Sequence, residues 1–147
     1  MDSPGIKNLG DRTITSALTS EVITSGVSAA GVAQELIDRL EGMLAASIQV
    51  RFAYGAGGTS CKVYIQTSLD GVVWSDIACA AFTTSSGTKV FNLSGLTPKT
   101  TPAAPTDGTL TDDTAVDGFL GDRLRCKVTS VGVYSGNSSI SVRASLR

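Results

Sequence analysis

The 147-residue chain contains no histidine, and it is poor in charged and aromatic side chains. Without an imidazole, any mechanism that uses histidine as a general base or as a metal ligand is excluded. Charged residues make up only 17% of the sequence and aromatic residues 5%. The 12 basic and 13 acidic residues leave a net charge of −1. This balance argues against a general nucleic-acid-binding protein, because such proteins carry a large basic excess.

Long apolar segments are missing as well. No stretch approaches the roughly 20 apolar residues of a membrane-spanning helix, and residues 1–10 lack the apolar core of a secretory signal. We therefore expect a chain that folds in a cytoplasm without membrane contact, where thiols stay reduced. The cysteines Cys61, Cys79 and Cys126 fall at inward-facing positions of predicted strands, which favours buried free thiols. A bridge between Cys61 and Cys79 stays open as an alternative.

The chain is rich instead in glycine, with 16 residues, and in Ser, Thr and Val, a composition typical of all-β proteins. Apolar and polar residues alternate over several short segments, for example through Ile48, Val50 and Phe52. Alternation of this kind places one face of a strand in a core and the other in solvent. We therefore predict an all-β protein, a single β-sandwich or jelly-roll-like domain of about seven or eight strands.

Two segments near the N-terminus do not share this pattern. Residues 1–12 have no clear period and are predicted to form an extended N-terminal arm, followed by the sandwich domain at 13–147. Residues 28–44 fit two structures. Apolar residues one helical turn apart, including Leu36 and Leu40, favour one short helix, but the same residues also fit the alternation of a strand.

A long loop is predicted at 97–121, because this segment lacks alternation and is rich in proline. Loops of this length are typically functional or stabilised by a neighbour. We expect its prolines to contact a partner, and they are Pro98, Pro102 and Pro105. Its aspartates could in principle hold calcium, but their spacing matches no EF-hand, so a solvated polar loop is favoured. These aspartates are Asp107, Asp112, Asp113, Asp117 and Asp122.

A hairpin turn is predicted between the strands that carry Gln66 and Trp74. The residues Ser68, Asp70, Gly71 and Trp74 resemble the Asp-box turn, which is best known as a repeated structural element of sialidase propellers. Carboxylate and hydroxyl oxygens accept backbone amides in such a turn, and glycine supplies the positive φ. A single copy favours a structural turn over an active site. A three-residue loop at 69–71 would place Gln66 opposite Trp74 and Cys61 opposite Cys79.

Basic residues are spaced two apart on the last two long strands. If these strands pair, their side chains form one stripe that is either a solvated face or a contact for an acidic protein surface. The residues concerned are Arg123, Arg125, Lys127, Arg143 and Arg147. Trp74, Tyr64 and Tyr134 could form a sugar-binding platform, but ordinary packing of these rings is favoured.

Several segments together resemble a family of small β-rich virion structural proteins from tailed bacteriophages and prophages. They include Val50–Ser60, Gln66–Gly71 with Trp74, Val90–Ser94, Leu96–Pro98, Pro105–Leu110 and Leu120–Arg125. The similarity spans roughly residues 42–147. It implies a place in the head decoration or in the neck and tail region, and it transfers no catalytic residue.

The resemblance implies a non-enzymatic structural protein without a cofactor. We expect it to be made in the cytoplasm of a host bacterium and to reside in the virion as a homo-oligomer. As a head decoration or cement protein it would stabilise the capsid through contacts with the major capsid protein. Two alternatives stay open, a neck, collar or tail component, and a carbohydrate-binding module on a phage fibre.

Overall fold

A computed structural model describes residues 4–24, 40 and 42–147 of the chain. Across these residues it contains eleven strands and no helix. Seven strands are long: β1 (Gly5–Thr13), β3 (Ala45–Ala53), β5 (Ser60–Ser68), β6 (Trp74–Phe82), β7 (Gly87–Ser94), β9 (Arg123–Val131) and β11 (Ser139–Leu146). The other four have two residues each: β2 (Glu21–Val22), β4 (Ala56–Gly57), β8 (Thr114–Ala115) and β10 (Tyr134–Ser135).

The strands form two antiparallel sheets that pack against each other. One sheet has the order β1-β11-β3-β7 and the other the order β2-β9-β5-β6-β8, while β10 and β4 form a small separate pair. A core of buried apolar side chains, including Ile48, Phe52 and Val63, fills the space between the sheets. The predicted all-β sandwich is therefore confirmed.

In the four-stranded sheet, the alternation of apolar and polar residues in the sequence matches the alternation of buried and exposed side chains. In β3, Ile48 and Val50 are fully buried, whereas Gln49 and Arg51 are exposed. The five-stranded sheet differs, because β5 and β6 are buried on both faces along most of their length. Residues 106–112 of the long loop lie over part of the outer face of this sheet, so that Asp76 is buried, and β8 extends the sheet beside β6.

The expected N-terminal arm is corrected by the structure. Residues 5–13 form β1, which pairs with β11 along its whole length, so they belong to the four-stranded sheet. Leu9 of this strand is fully buried. The alternation is hidden in the sequence because a bulge between Asn8 and Gly10 shifts the period by one residue.

Residues 14–24 are mostly irregular, since only β2 forms a ladder there. Most of residues 28–44, for which a short helix was favoured and a strand stayed open, lie outside the described residues.

The register predicted for the β5–β6 hairpin is wrong. Trp74 pairs with Ser68 rather than with Gln66, and the connection runs over residues 69–73. A second bulge, next to Ile65, then shifts the register again, so that Cys61 lies opposite Phe82. As a result Cys79 faces outwards, under the long loop, and not into the core between the sheets.

Candidate functional site

The turn between β5 and β6 contains the hydrogen bonds expected of an Asp-box. The Ser68 hydroxyl accepts the amide of Gly71 at 2.8 Å, and Asp70 accepts the amides of Val72 and Val73 at 2.8 and 2.9 Å. The amides of Val73 and Val72 lower the pKa of Asp70, because they stabilise its charged form. Gly71 has a φ of 78°, which only glycine adopts without strain. The turn is therefore rigid and presents its apolar residues to solvent.

Asp76, which the sequence did not single out as a functional residue, organises the long loop. Its carboxylate is buried and accepts the backbone amides of Gly108, Thr109 and Leu110 at 2.9–3.2 Å. It also accepts the Thr106 hydroxyl at 2.9 Å. The only hint in the sequence is an aspartate next to the apolar run of β6, where a charge requires several partners.

A second carboxylate of the loop lies beside this anchor. Asp107 accepts hydrogen bonds from Lys127 at 2.6 Å and from the Gln66 amide at 2.7 Å. The Lys127 ammonium, followed by Gln66, holds the pKa of Asp107 below its usual value. Gln66 also accepts the Arg125 guanidinium at 2.7 Å. The loop is thus attached to the sheet through a closed network of polar groups.

The predicted basic stripe does not exist. β9 pairs with β5 and β2, whereas β11 pairs with β1 and β3, so the two sets of basic residues lie in different sheets. Arg125 and Lys127 of β9 are used inside the polar network under the loop. Arg143 of β11 contacts Asp11 on β1 at 3.0 Å, and Arg147 is exposed at the chain end. Residue spacing identifies the faces of strands but not which strands pair, which explains the error.

Arg123, the remaining member of the predicted stripe, lies where the loop returns to β9. Its carbonyl accepts the hydroxyl of Thr67 at 2.8 Å, and its guanidinium lies next to Gly71 of the turn. It therefore closes the end of the five-stranded sheet.

The aspartates of the long loop have separate partners. Asp112 pairs with Lys62 at 2.9 Å, Asp113 with Lys89 at 2.7 Å, and Asp117 accepts the amide of Ser94 at 2.6 Å. Among the described residues no group of three or more His, Cys, Asp or Glu side chains could hold a metal ion. The three prolines that were predicted to contact a partner, Pro98, Pro102 and Pro105, are all exposed.

The aromatic residues proposed for sugar binding do not share a surface. Tyr64 and Tyr134 are buried. The guanidinium of Arg125 lies 4.0 Å from the centroid of the Trp74 ring and covers one of its faces. The sandwich therefore has no stacking platform built from these three rings.

The outer face of the four-stranded sheet is open. Its exposed side chains are mostly Ser, Thr, Asn and Gln, with Ile6 on β1 and Val90 on β7 standing out from it. Between these two residues runs a shallow groove of about 220 Å³, in which Ser47 and Ser145 lie side by side. Small residues in the middle and larger apolar ones at the sides leave space for a side chain from another molecule.

The three cysteines are free and buried. Burial raises the pKa of Cys61 to about 12 and that of Cys79 to about 11, and it raises the pKa of Cys126 as well. Thiolates are therefore strongly disfavoured at neutral pH, and these residues are not suited to act as nucleophiles.

A helix long and apolar enough to span a membrane is not found in the described ranges. Comparisons of the chain with protein-family models, curated proteins and solved structures gave no match.

Proposed function

We propose that this chain is a non-enzymatic structural protein of a tailed-phage virion, and specifically a head decoration or cement protein. It would be made in the host bacterial cytoplasm and would bind the major capsid protein as a repeated subunit. The resemblance to phage virion proteins that we infer from the sequence of residues 42–147 motivates the proposal. The physical character of the surface supports it independently.

The observation that carries the proposal is the open face of the four-stranded sheet. Ile6 and Val90 have 74% and 66% of their surface exposed, on either side of the groove. The face is mostly polar, and its charged residues are the exposed Arg51 and Arg143, which lines the groove and pairs with Asp11. Two large, exposed apolar residues on such a face are typical of a protein contact. A side chain of the capsid protein that enters this groove would bury apolar area on both molecules. Binding of this kind stabilises the shell without chemistry.

The exposed prolines form a second candidate contact. Pro98, Pro102 and Pro105 lie in the part of the long loop that precedes its anchor at Asp76. Because proline fixes φ, such a segment loses little conformational entropy when it binds. The predicted contact through an acidic partner surface is weaker, since Arg125 and Lys127 are used within the molecule.

Incorporation of variants into phage particles tests the proposal. We expect Ile6→Asp and Val90→Asp to reduce the amount of the protein in purified particles by at least about tenfold, because a buried unpaired carboxylate opposes binding. Val72→Asp is the matched control, since Val72 is 81% exposed but lies on the β5–β6 turn. Normal incorporation of both groove variants would show that this face is not the contact. A wild-type protein that is absent from particles would refute the virion role itself.

The number of copies separates the two virion roles. A decoration protein is present in numbers close to those of the major capsid protein, whereas a neck, collar or baseplate component is present in a handful of copies. Both roles use the same kind of contact.

A further inference from the structure

One end of the sandwich is built from segments without a single charged residue. Asp, Glu, Lys and Arg make up 17% of the chain, yet none occurs in residues 13–20, 52–61, 77–88 or 128–142. The turns within the last three segments lie where β3, β6 and β9 end, next to the start of the first segment at the end of β1. We call this part of the described structure the charge-free end. Four uncharged segments that meet at one end are unusual, because the surface of a solvated protein normally carries interspersed charges.

The loops of the charge-free end are held together by hydrogen bonds. The amide of Ile14 donates to the carbonyl of Ser138 at 2.8 Å, and that of Gly58 donates to the carbonyl of Val133 at 2.9 Å. The amide of Tyr54 donates to the Ser86 hydroxyl at 2.8 Å. Strands β4 and β10 pair in the same region. The loops are therefore fixed relative to one another before any partner binds.

An aromatic cluster supports these loops from below. The rings of Phe52, Phe82 and Tyr134 lie 5.2 to 5.5 Å apart between centroids. The Tyr134 hydroxyl donates to the carbonyl of Thr83 at 2.7 Å, which ties the β6–β7 loop to the cluster. A rigid surface loses less conformational entropy on binding than a flexible one does.

The composition of the charge-free end is that of a binding surface. Val131 and Val133 are 55% and 64% exposed in the turn between β9 and β10, on either side of Gly132. They are surrounded by Ser, Thr, Gly and Asn, residues common in binding loops that cluster at one end of a β-sandwich. Absence of charge at the centre is a general property of protein interfaces.

We propose that the charge-free end is the contact through which two copies of this chain associate. A charged partner surface would lose its hydration against this end without gaining an ion pair. The complementary surface is therefore uncharged too, and the same end of a second copy meets this condition. Such a contact is isologous, with Val131 and Val133 of both copies near a two-fold axis.

The distribution of charge over the molecule agrees with this arrangement. The nine residues of β5 separate the charge-free end from the β5–β6 turn by about 30 Å. Asp70 lies at that far side, as does Asp122, whose amide donates to the carbonyl of Ser68. The ion pairs Lys62–Asp112 and Lys89–Asp113 lie nearer to the charge-free end, beside Ala81, and in each of them the opposite charges are neutralised within one copy. The inference goes beyond the proposed function, because it concerns the isolated chain in solution and holds whatever role the chain has.

Sedimentation velocity of the full-length chain over a range of concentrations tests the inference. We expect a concentration-dependent dimer whose dissociation constant changes less than about twofold between low and high salt, because no ion pairs are involved. Val133→Lys should weaken association by at least about tenfold, since it places two like charges at the axis. Val72→Lys, an exposed valine changed in the same way at the far turn, should leave the dimer intact.

A second variant at the same end keeps the inference testable if Val133→Lys does not fold. Ser85 is exposed in the β6–β7 loop of the same end, and Ser85→Lys should also weaken the dimer. Circular dichroism establishes that each variant is folded. A chain that stays monomeric at all concentrations would overturn the inference. So would a dimer that Val72→Lys disrupts while folded Val133→Lys and Ser85→Lys leave it unchanged. Neither result bears on incorporation into particles, so the virion role is tested separately.

Discussion

At the scale of single residues, a few buried polar side chains form hydrogen bonds with loop segments that do not pair as strands. Asp76 is the main example, because its carboxylate accepts three backbone amides of residues 108–110. Without the Asp76 carboxylate, these three loop amides would lose this hydrogen-bond acceptor. Gln66 extends the anchor to Asp107 and Arg125. The conformation of the long loop therefore depends on β5 and β6 more than on its own sequence.

Replacement of this anchor should destabilise the protein strongly. Asp76→Asn removes the negative charge and places an amide group near several backbone donors, and we expect a loss of about 3 kcal/mol in the free energy of unfolding. Asp112→Asn breaks one partly exposed ion pair with Lys62 and should cost at most about 1 kcal/mol. Urea unfolding monitored by Trp74 fluorescence measures both. Equal losses for the two variants would contradict the role of Asp76 as anchor.

The pH dependence of stability follows from the carboxylates with lowered pKa values. Lys127 and Gln66 lower the pKa of Asp107, and for Asp11 hydrogen bonds from Arg143 and its neighbours outweigh the burial that would raise the pKa. A group whose pKa is lowered in the folded state stabilises the fold above its unfolded value, and this contribution is lost as the pH falls through the folded value. Because the chain has no histidine, we expect little change between about pH 5 and pH 8. Below about pH 4 the stability should fall.

Denaturant unfolding at several pH values checks this profile. Asp107→Asn should have a shallower acid limb than the wild type, since one of the responsible carboxylates is gone. Parallel acid limbs for the two proteins would show that Asp107 does not contribute.

At the scale of elements, the buried faces of regular strands could be predicted from the sequence, whereas the register of strands with bulges could not. The alternation in β3 and β11 gave the correct buried faces, because each of these strands is regular and has one face in solvent. The bulges in β1 and β6 change the period by one residue, which no spacing argument detects. The separation of β9 and β11 into different sheets is a long-range property that local pattern does not contain. The role of Asp76 was missed for the same reason, since its partners in the long loop lie 30 to 34 residues away.

The bulge in β1 gives a prediction about its glycines. An added Cβ at Gly10 would lie 2.7 Å from a side-chain carbon of Ile23, whereas at Gly5 nothing lies within 4 Å. Both residues have positive φ, so backbone strain is present in either variant. Gly10→Ala should therefore cost about 1–3 kcal/mol more than Gly5→Ala, because only the former displaces packed atoms. Thermal and urea unfolding compare the two, and equal losses would show that β1 does not pack against Ile23 as described.

At the scale of the whole molecule, the sandwich presents three different surfaces. The long loop covers part of the outer face of the five-stranded sheet, and the outer face of the four-stranded sheet is open and carries the groove. The charge-free end is formed by the loops at one end of both sheets. An enzyme requires a site with placed chemical groups, whereas a repeated structural protein requires several separate contacts. The proposed role in a virion uses the open face for the capsid and leaves the charge-free end for a second copy.

The most direct test of this account is the number of copies of the chain in purified virions. Quantitative mass spectrometry of phage particles produced by the source organism gives this number relative to the major capsid protein. The account predicts a ratio close to one. A handful of copies would replace the decoration role with a neck, collar or baseplate role, and complete absence from the particles would contradict the account.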